Sequence, residues 1–186
     1  RVRHETVACT AALSEREKEL WVCDYLLSHT RYAVNNKYHQ NAASVLADGV
    51  GQCSGIAKAV KLMLDWAGVW SIVVNGTGAD RENKTSDAHS WNIVRIGGVF
   101  HHLDVTFMLG ANPQGGAPYR RLWLNYGDGR MRLDHAWICP TPPCADESGA
   151  QTDEKRIASL YELRRELLAA ADGGKRSFSF YSDIPT

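Results

Sequence analysis

The sequence predicts an α+β fold in which a helix beginning at Cys53 packs on an antiparallel sheet. Apolar residues recur at helical spacing from Ile56 to Ala67, and Gly68 follows as a stop signal. Two strand-like runs, residues 89–96 and 99–106, are separated by Gly97-Gly98, a signal for a two-residue hairpin. A chain of 186 residues is long enough to bury a sizeable core within one domain.

The remaining elements are predicted from shorter signals. Ser14 and Glu17 form a capping-box pattern before a helix over residues 14–29, and Cys23 lies on its apolar stripe, which indicates core packing. Four further segments are expected: a helical turn at 42–47, a strand at 71–75, a polar loop at 76–87 that borders the substrate cleft, and a surface loop at 109–121.

Beyond Cys144 the sequence changes character, which predicts a core domain at residues 1–145 and a C-terminal segment at 146–186. Ser148-x-x-Gln151 is a capping signal for a helix that runs to about Ala171, and Phe178 and Phe180 alternate as in a strand. We expect this segment to be a helix-strand appendage, or the first elements of a following domain.

Composition excludes some classes of function. The 21 basic and 21 acidic residues give a formal net charge of +0, which argues against nucleic-acid binding, since such proteins usually carry a basic stripe. No run approaches the roughly 18 apolar residues that a membrane-spanning helix needs. The chain starts at Arg1 without a methionine or a signal-peptide pattern, so we expect a processed or excised piece of a longer protein.

The five cysteines, an odd number, leave at least one thiol without a partner within the chain. Cys139 and Cys144 flank a proline-rich turn and could form a local disulfide. A zinc site that joins them to His135 is the weaker alternative, because C-x4-C with one histidine is an unspecific pattern. We predict no metal and no cofactor. The cysteine count does not determine the compartment, and an extracellular or cell-surface position within a longer bacterial protein stays open.

Cys53 is the candidate nucleophile. It follows a turn-forming stretch and begins the predicted helix, where unpaired N–H groups and the positive end of the helix dipole favour a thiolate. The Cys53 N–H would serve as an oxyanion donor. A buried structural cysteine is the alternative interpretation of this segment alone.

The hairpin favours the catalytic interpretation. If Ile96 pairs with Val99, His89 and Asp104 become diagonal neighbours on one face of the sheet, together with Trp91 and His102. A histidine that takes a thiol proton and an aspartate that orients the histidine are the partners that a cysteine nucleophile needs.

Three blocks together resemble the transglutaminase-like superfamily, specifically its bacterial branch with papain-like thiol chemistry. They are Gly51-Gln-Cys-Ser-Gly-Ile-Ala57, His89-Ser-Trp-Asn92 and His101-His-Leu-Asp-Val-Thr106, and Asp134-His-Ala-Trp137 is similar to a later segment of the family. The resemblance covers about residues 20–145 and implies a transglutaminase-like, papain-like fold. It implies Cys53 as nucleophile, His89 as general base and acid, and Asp104 as the orienting residue. Ile56 departs from the aromatic residue that is common there.

The resemblance implies chemistry through an acyl-thioester on Cys53. We expect a peptidase or amidase that acts on a protein or peptide, with cell-wall peptide as one candidate substrate. The alternatives are a protein-glutamine transglutaminase and a noncatalytic binding module. Trp91 and Gln52 are candidate substrate contacts, and Gln40, Asn41 and Gln52 are candidates for the second oxyanion donor. The oligomeric state stays open.

Overall fold

The computed structural model describes residues 1–33, 40–80, 85–113, 115, 121–145, 155–157, 159–173 and 180–182. The chain divides into two compact units, Arg1–Ala150 and Gln151–Thr186. In chain order the elements are α1 (Val2–Thr10), α2 (Glu15–His29), β1 (Arg31–Tyr32), α3 (Ala42–Asp48), β2 (Val50–Gly51), α4 (Cys53–Ala67), β3 (Ser71–Asp80), β4 (Thr85–Ile96), β5 (Val99–Leu103), α5 (Val105–Ala111), β6 (Leu124–Tyr126), α6 (Asp128–Met131), β7 (His135–Ala136), β8 (Lys155–Ile157), α7 (Leu160–Asp172) and β9 (Phe180–Ser182).

The first unit is a mixed α+β structure with helices packed on an antiparallel sheet, as predicted. Helix α4 has a buried apolar face and ends at Gly68, whose left-handed φ of 77° suits a glycine cap. Helix α2 begins with the predicted capping box, in which the Glu17 carboxylate accepts from the Ser14 N–H at 2.8 Å. Cys23 is fully buried in the core between these helices, also as predicted.

The sheet has the strand order β6-β5-β4-β3-β7, and its central hairpin has the predicted register. Ile96 pairs with Val99, and the pairing continues to Asn92 opposite Leu103. Gly97 and Gly98 adopt φ angles of 59° and 84°, so both turn positions need the left-handed region that glycine tolerates. The local sequence signals therefore determined this register correctly.

Strand β5 ends at Leu103, so the predicted strand at 99–106 is too long. Asp104 instead caps helix α5, with its side chain accepting a hydrogen bond from the Phe107 N–H. The same helix occupies the start of the predicted loop at 109–121, of which only 109–113, 115 and 121 are described. An aspartate favours an N-cap because its carboxylate satisfies an otherwise unpaired helix N–H.

The predicted loop at 76–87 is wrong for its described residues, because β3 and β4 continue through them as a long hairpin. Residues 81–84 lie outside the described part. Gly76 pairs with His89, and a Cβ at Gly76 would lie 2.1 Å from the Ala136 carbonyl oxygen on β7. The glycine thus permits the close approach of a neighbouring strand, although glycine in sequence more often signals a turn.

In the second unit β8 and β9 form a parallel pair, and α7 begins at Leu160 with Ser159 as its cap. A helix from Ser148 is excluded, because Lys155–Ile157 is a strand; the Ser148–Gln151 signal itself and Phe178 lie outside the described residues. The helix ends at Asp172, close to the predicted end. Exposed apolar side chains of α7 include Leu160, Leu167 and Leu168.

Two further findings concern the cysteines and the length of the helices. All five cysteines are free thiols, so Cys139 and Cys144 do not form the local disulfide. Across the described ranges, no helix combines the length and the apolar composition needed to span a bilayer.

Candidate active site

Cys53 is the first residue of α4, and its side chain is only partly buried. Burial acts to raise the pKa of the thiol, but hydrogen bonds from His89 and from the backbone at Ser90 and Ser54, together with the charge of His89, bring it below its ordinary value. The thiol is therefore accessible to reagents and has a hydrogen-bonding histidine beside it. These are the two properties that distinguish a reactive cysteine from a structural one.

His89 lies on β4, within hydrogen-bonding reach of Cys53, and its Nε2 stands 2.6 Å from Asp104 Oδ2. Since Nε2 is used by the carboxylate, Nδ1 is the nitrogen left for the thiol. Burial acts to lower the pKa of His89, but the charge and hydrogen bond of Asp104 and the contact with Cys53 raise it to about 10. The His89 ring is therefore protonated near neutral pH, and it forms an ion pair with the Cys53 thiolate.

Asp104 is 1% exposed, and both of its carboxylate oxygens are bonded. Oδ1 accepts from the Phe107 N–H at 3.0 Å, and the backbone N–H of Asp104 donates to the Trp123 carbonyl at 3.0 Å. Burial opposes ionisation, but the positive charge of His89 and the hydrogen bonds from His135 and His89 hold the pKa of Asp104 well below its usual range. The structure thus brings together the three residues that the sequence predicts as a triad.

The family model of the transglutaminase-like superfamily matches residues 5–105, which is just over half of the chain. The chain belongs to the transglutaminase-like superfamily. The matched region contains Cys53, His89 and Asp104, the three residues of the candidate site.

Solved structures with similar folds include a TGase, with 23% identity and a TM-score of 0.47 over 63% of this chain and 34% of that chain. A candidate cysteine protease from Cytophaga hutchinsonii has 20% identity and a TM-score of 0.42, over 48% of this chain and 30% of that chain. The periplasmic domain of TgpA from Pseudomonas aeruginosa has 18% identity and a TM-score of 0.43, over 57% and 42%. This chain therefore spans less than half of each of these three chains. A comparison with curated proteins finds no significant match.

Gly78 makes room for the His89 ring. A Cβ there would lie 3.1 Å from the Cγ and Cδ2 atoms of His89 and 3.0 Å from Cζ of Phe107. The His89 ring also packs against the Phe107 ring, with centroids 4.8 Å apart. The imidazole is therefore held on one side by Phe107 and on another by the backbone of β3.

Of the two predicted substrate contacts, Trp91 is buried and Gln52 lies beside the thiol; Asn41, a candidate oxyanion donor, caps a helix. Trp91 is fully buried and donates from its indole N–H to His102 Nδ1 at 2.9 Å, so no surface of it is open to a substrate in this conformation. Gln52 is half-buried, immediately before Cys53, and its Oε1 accepts from Gln40 at 3.0 Å. Asn41 caps α3 by accepting from the Ser44 N–H.

Two residues near Cys53 or Asp104 were not predicted as catalytic or substrate-binding residues. The hydroxyl oxygen of Tyr32, a half-exposed residue of β1, accepts a hydrogen bond from the backbone N–H of Cys53. His135 Nε2 lies 3.0 Å from Asp104 Oδ2. For His135 a signal was present, because it lies in the Asp134–Trp137 segment that resembles the family; for Tyr32 no local pattern distinguishes it from a surface tyrosine.

Two groups of side chains have ligand atoms close enough for a metal ion: His89, Asp104 and His135, and His102, Asp128 and Cys144. In the first group, Asp104 Oδ2 lies 2.6 Å from His89 Nε2 and 3.0 Å from His135 Nε2, which are hydrogen-bond lengths. Two ligand atoms of a tetrahedral zinc stand about 3.3 Å apart, given bonds of about 2.0 Å. The first group is therefore arranged for hydrogen bonds and not around a zinc ion.

In the second group, His102 Nδ1 accepts from Trp91, so the proton of the neutral ring is on Nε2 and donates to Asp128 Oδ1 at 2.9 Å. A nitrogen that carries a proton cannot ligate a metal. Among the described residues Cys144 groups with Asp128 and His102, and His135 groups with His89 and Asp104, which contradicts the zinc alternative that joins both cysteines to His135.

Proposed function

We propose that this chain is a thiol-dependent peptidase or amidase that cleaves an amide bond of a protein or peptide through an acyl-thioester on Cys53. The observation that carries the proposal is the buried contact of 2.6 Å between His89 and Asp104, in a histidine that also hydrogen-bonds the thiol of Cys53. A structural cysteine has no need of this pair, whereas a nucleophilic cysteine requires it.

The first half of the reaction forms the thioester. The thiol proton lies on Nδ1 of His89 in the thiolate–imidazolium pair, and the thiolate attacks the carbonyl carbon of the substrate. The Cys53 N–H, at the N-terminus of α4, donates to the oxyanion. In the free protein this N–H donates to the Tyr32 hydroxyl; the oxyanion takes its place as acceptor, and the released Tyr32 O–H supplies the second donor. As the C–N bond breaks, the proton on His89 passes to the leaving amine.

The second half releases the acyl group. His89 takes a proton from water, the hydroxide attacks the thioester carbon, and the C–S bond breaks. The substrate leaves as a carboxylic acid, and the proton stays on His89, which restores the thiolate–imidazolium pair. Asp104 stays ionised throughout and keeps the Nε2 proton of His89 in place, so that Nδ1 always faces the reaction.

The partial exposure of Cys53 favours hydrolysis over transfer to an amine. Water reaches an open thioester at far higher concentration than any amine, so hydrolysis is the default outcome unless the site excludes water. Transfer of a glutamine acyl group to an amine is the competing outcome, and it differs only in the second nucleophile.

Both outcomes can be measured with casein as the substrate. The wild-type protein is incubated with casein alone and with casein plus dansylcadaverine, beside the variant Cys53→Ala. New α-amino groups in both wild-type reactions, and none with the variant, are the expected result. Dansyl incorporation without cleavage would replace the hydrolase with a transglutaminase. Casein left intact and unlabelled by the wild type would contradict an enzyme that acts on proteins.

A further inference from the structure

The Asp104 carboxylate has an unusual second partner. A triad aspartate needs one imidazole, but Asp104 Oδ2 faces two, with His89 Nε2 at 2.6 Å and His135 Nε2 at 3.0 Å. The histidine rings are 5.3 Å apart between centroids. Both rings are almost fully buried, so the second contact is a built part of the site rather than a surface contact.

His135 is itself oriented by another carboxylate. Its Nδ1 lies 2.7 Å from Asp134 Oδ1, and Asp134 Oδ2 accepts from the Trp123 indole N–H at 3.1 Å. Each nitrogen of His135 therefore faces a carboxylate oxygen. An ionised carboxylate only accepts hydrogen bonds, so both nitrogens carry protons and the ring is an imidazolium. Burial opposes this charge, but the bonds to Asp104 and Asp134 raise the pKa of His135 above its ordinary value.

The backbone fixes where this imidazolium lies. His135 belongs to the edge strand β7 and pairs with Gly78 of β3, the same glycine whose missing Cβ makes room for the His89 ring. The His135 ring also packs against Phe107, with centroids 4.6 Å apart. One stretch of β3 therefore positions His135 by strand pairing and His89 by close packing, with Asp104 between their nitrogens.

We propose that His135, held by Asp134, is a positioning residue that fixes the Asp104 carboxylate in the orientation that His89 requires. The proposal rests on the thiol chemistry proposed above. Without His135 the Oδ2 atom would have one partner, and the buried carboxylate could turn about its Cα–Cβ bond away from the His89 ring. With His135 in place, the carboxylate is bonded at Oδ1 by Phe107 and at Oδ2 by two rings.

The test compares two substitutions that differ in one hydrogen bond. His135→Gln keeps an N–H donor at about the position of Nε2, whereas His135→Leu keeps much of the volume and removes the donor. The readout is the rate of Cys53 alkylation by iodoacetamide at pH 7, identified by mass spectrometry of the Cys53 peptide and compared among samples shown to be folded by thermal melting.

We expect His135→Leu to lower the alkylation rate at least tenfold, and His135→Gln to keep it within about threefold of wild type. A purely structural histidine would show equal losses in both variants or none in the folded Leu variant, and either result would overturn the proposal. Asp134→Ala provides a second route if the Leu variant does not fold. Alanine removes the carboxylate that orients the His135 ring at Nδ1, so we expect a loss here too; an unchanged rate would count against the proposal.

His102 is the matched control. It is a buried histidine of the same aromatic cluster, and its two ring nitrogens bond to Trp91 and Asp128 rather than to Asp104. We expect His102→Leu to lower stability and to leave Cys53 alkylation near the wild-type rate; a loss equal to that of His135→Leu would show that disruption of the cluster, and not the bond to Asp104, sets the rate. If the wild type itself alkylates as slowly as an ordinary thiol, the proposed function fails before any His135 variant is compared.

Discussion

The Asp104 side chain has two tasks that can be separated by substitution. Oδ1 caps α5 through the Phe107 N–H, and Oδ2 orients His89. In Asp104→Asn the amide oxygen can still cap the helix, because asparagine is a good N-cap residue, but the amide N–H₂ would then point at the His89 Nε2–H. We expect casein cleavage to fall about a hundredfold or more, with the protein still folded. Cleavage within tenfold of wild type, in a folded variant, would remove Asp104 from the mechanism.

Gly78 is the residue where packing limits the site most directly. In Gly78→Ala the new Cβ would press on His89 and Phe107 at 3.0–3.1 Å, closer than ordinary contact, so the imidazole must move by a few tenths of an ångström. We expect the alkylation rate of Cys53 to fall by about tenfold, since small displacements of a reacting group are costly. Gly110→Ala is the control, because nothing lies within 4 Å of its added Cβ. Equal rates in the two variants would contradict this account of Gly78.

At the scale of elements, Asn92 ties the helix of the nucleophile to the sheet of the histidine. Its buried side chain donates to the Ala57 carbonyl of α4 at 3.0 Å and to the Ile72 carbonyl of β3 at 3.2 Å. We expect Asn92→Leu to lower the free energy of unfolding by about 1–3 kcal/mol, because it leaves buried carbonyl groups without these partners. The measurement is urea unfolding.

The control for Asn92 is Asn75→Ala on the neighbouring strand. Asn75 is exposed, and its side chain accepts from Ser90 at 2.8 Å. Because the Asn75 end is exposed, this hydrogen bond is only partly buried and contributes less, so we expect a loss below about 1 kcal/mol. A loss for Asn92→Leu no larger than this would show that the helix and the sheet are held together without that side chain.

The elements also show what the sequence can predict. The register of β4 and β5 follows from Gly97-Gly98 and from the alternation of side chains between the two faces of the sheet. The start of α4 follows from the helical spacing of its apolar residues. Both signals are local in the sequence. The contact of His135 with Asp104 depends on β7 pairing with β3 across more than fifty residues, and no pattern within β7 specifies it. Trp123 and Asn125 adopt left-handed φ angles of 54° and 57° beside the site, and a tryptophan gives no sequence signal for that conformation.

At the scale of the molecule, folding and the ionised site depend on one another. Asp104 has a lowered pKa in the folded protein, so below the unfolded value of about 4 the unfolded chain binds the proton more readily. The stability that this carboxylate contributes is complete above that pH and is lost as the pH falls through the folded value. We therefore expect the melting temperature of the wild type to fall more steeply between pH 5 and pH 3 than that of Asp104→Asn. Parallel curves would contradict an ionised Asp104 held by His89 and His135.

The central claim is that four elements, α4, β4, the start of α5 and β7, together activate one thiol. The most direct test is the alkylation rate of Cys53 by iodoacetamide as a function of pH, in wild type and in His89→Ala. Since the pKa of Cys53 is lowered and that of His89 is raised to about 10, the wild type should react well below pH 8 as a thiolate–imidazolium pair. In His89→Ala the profile should move up toward that of an ordinary thiol. Ordinary thiol behaviour in both proteins would contradict the catalytic assignment.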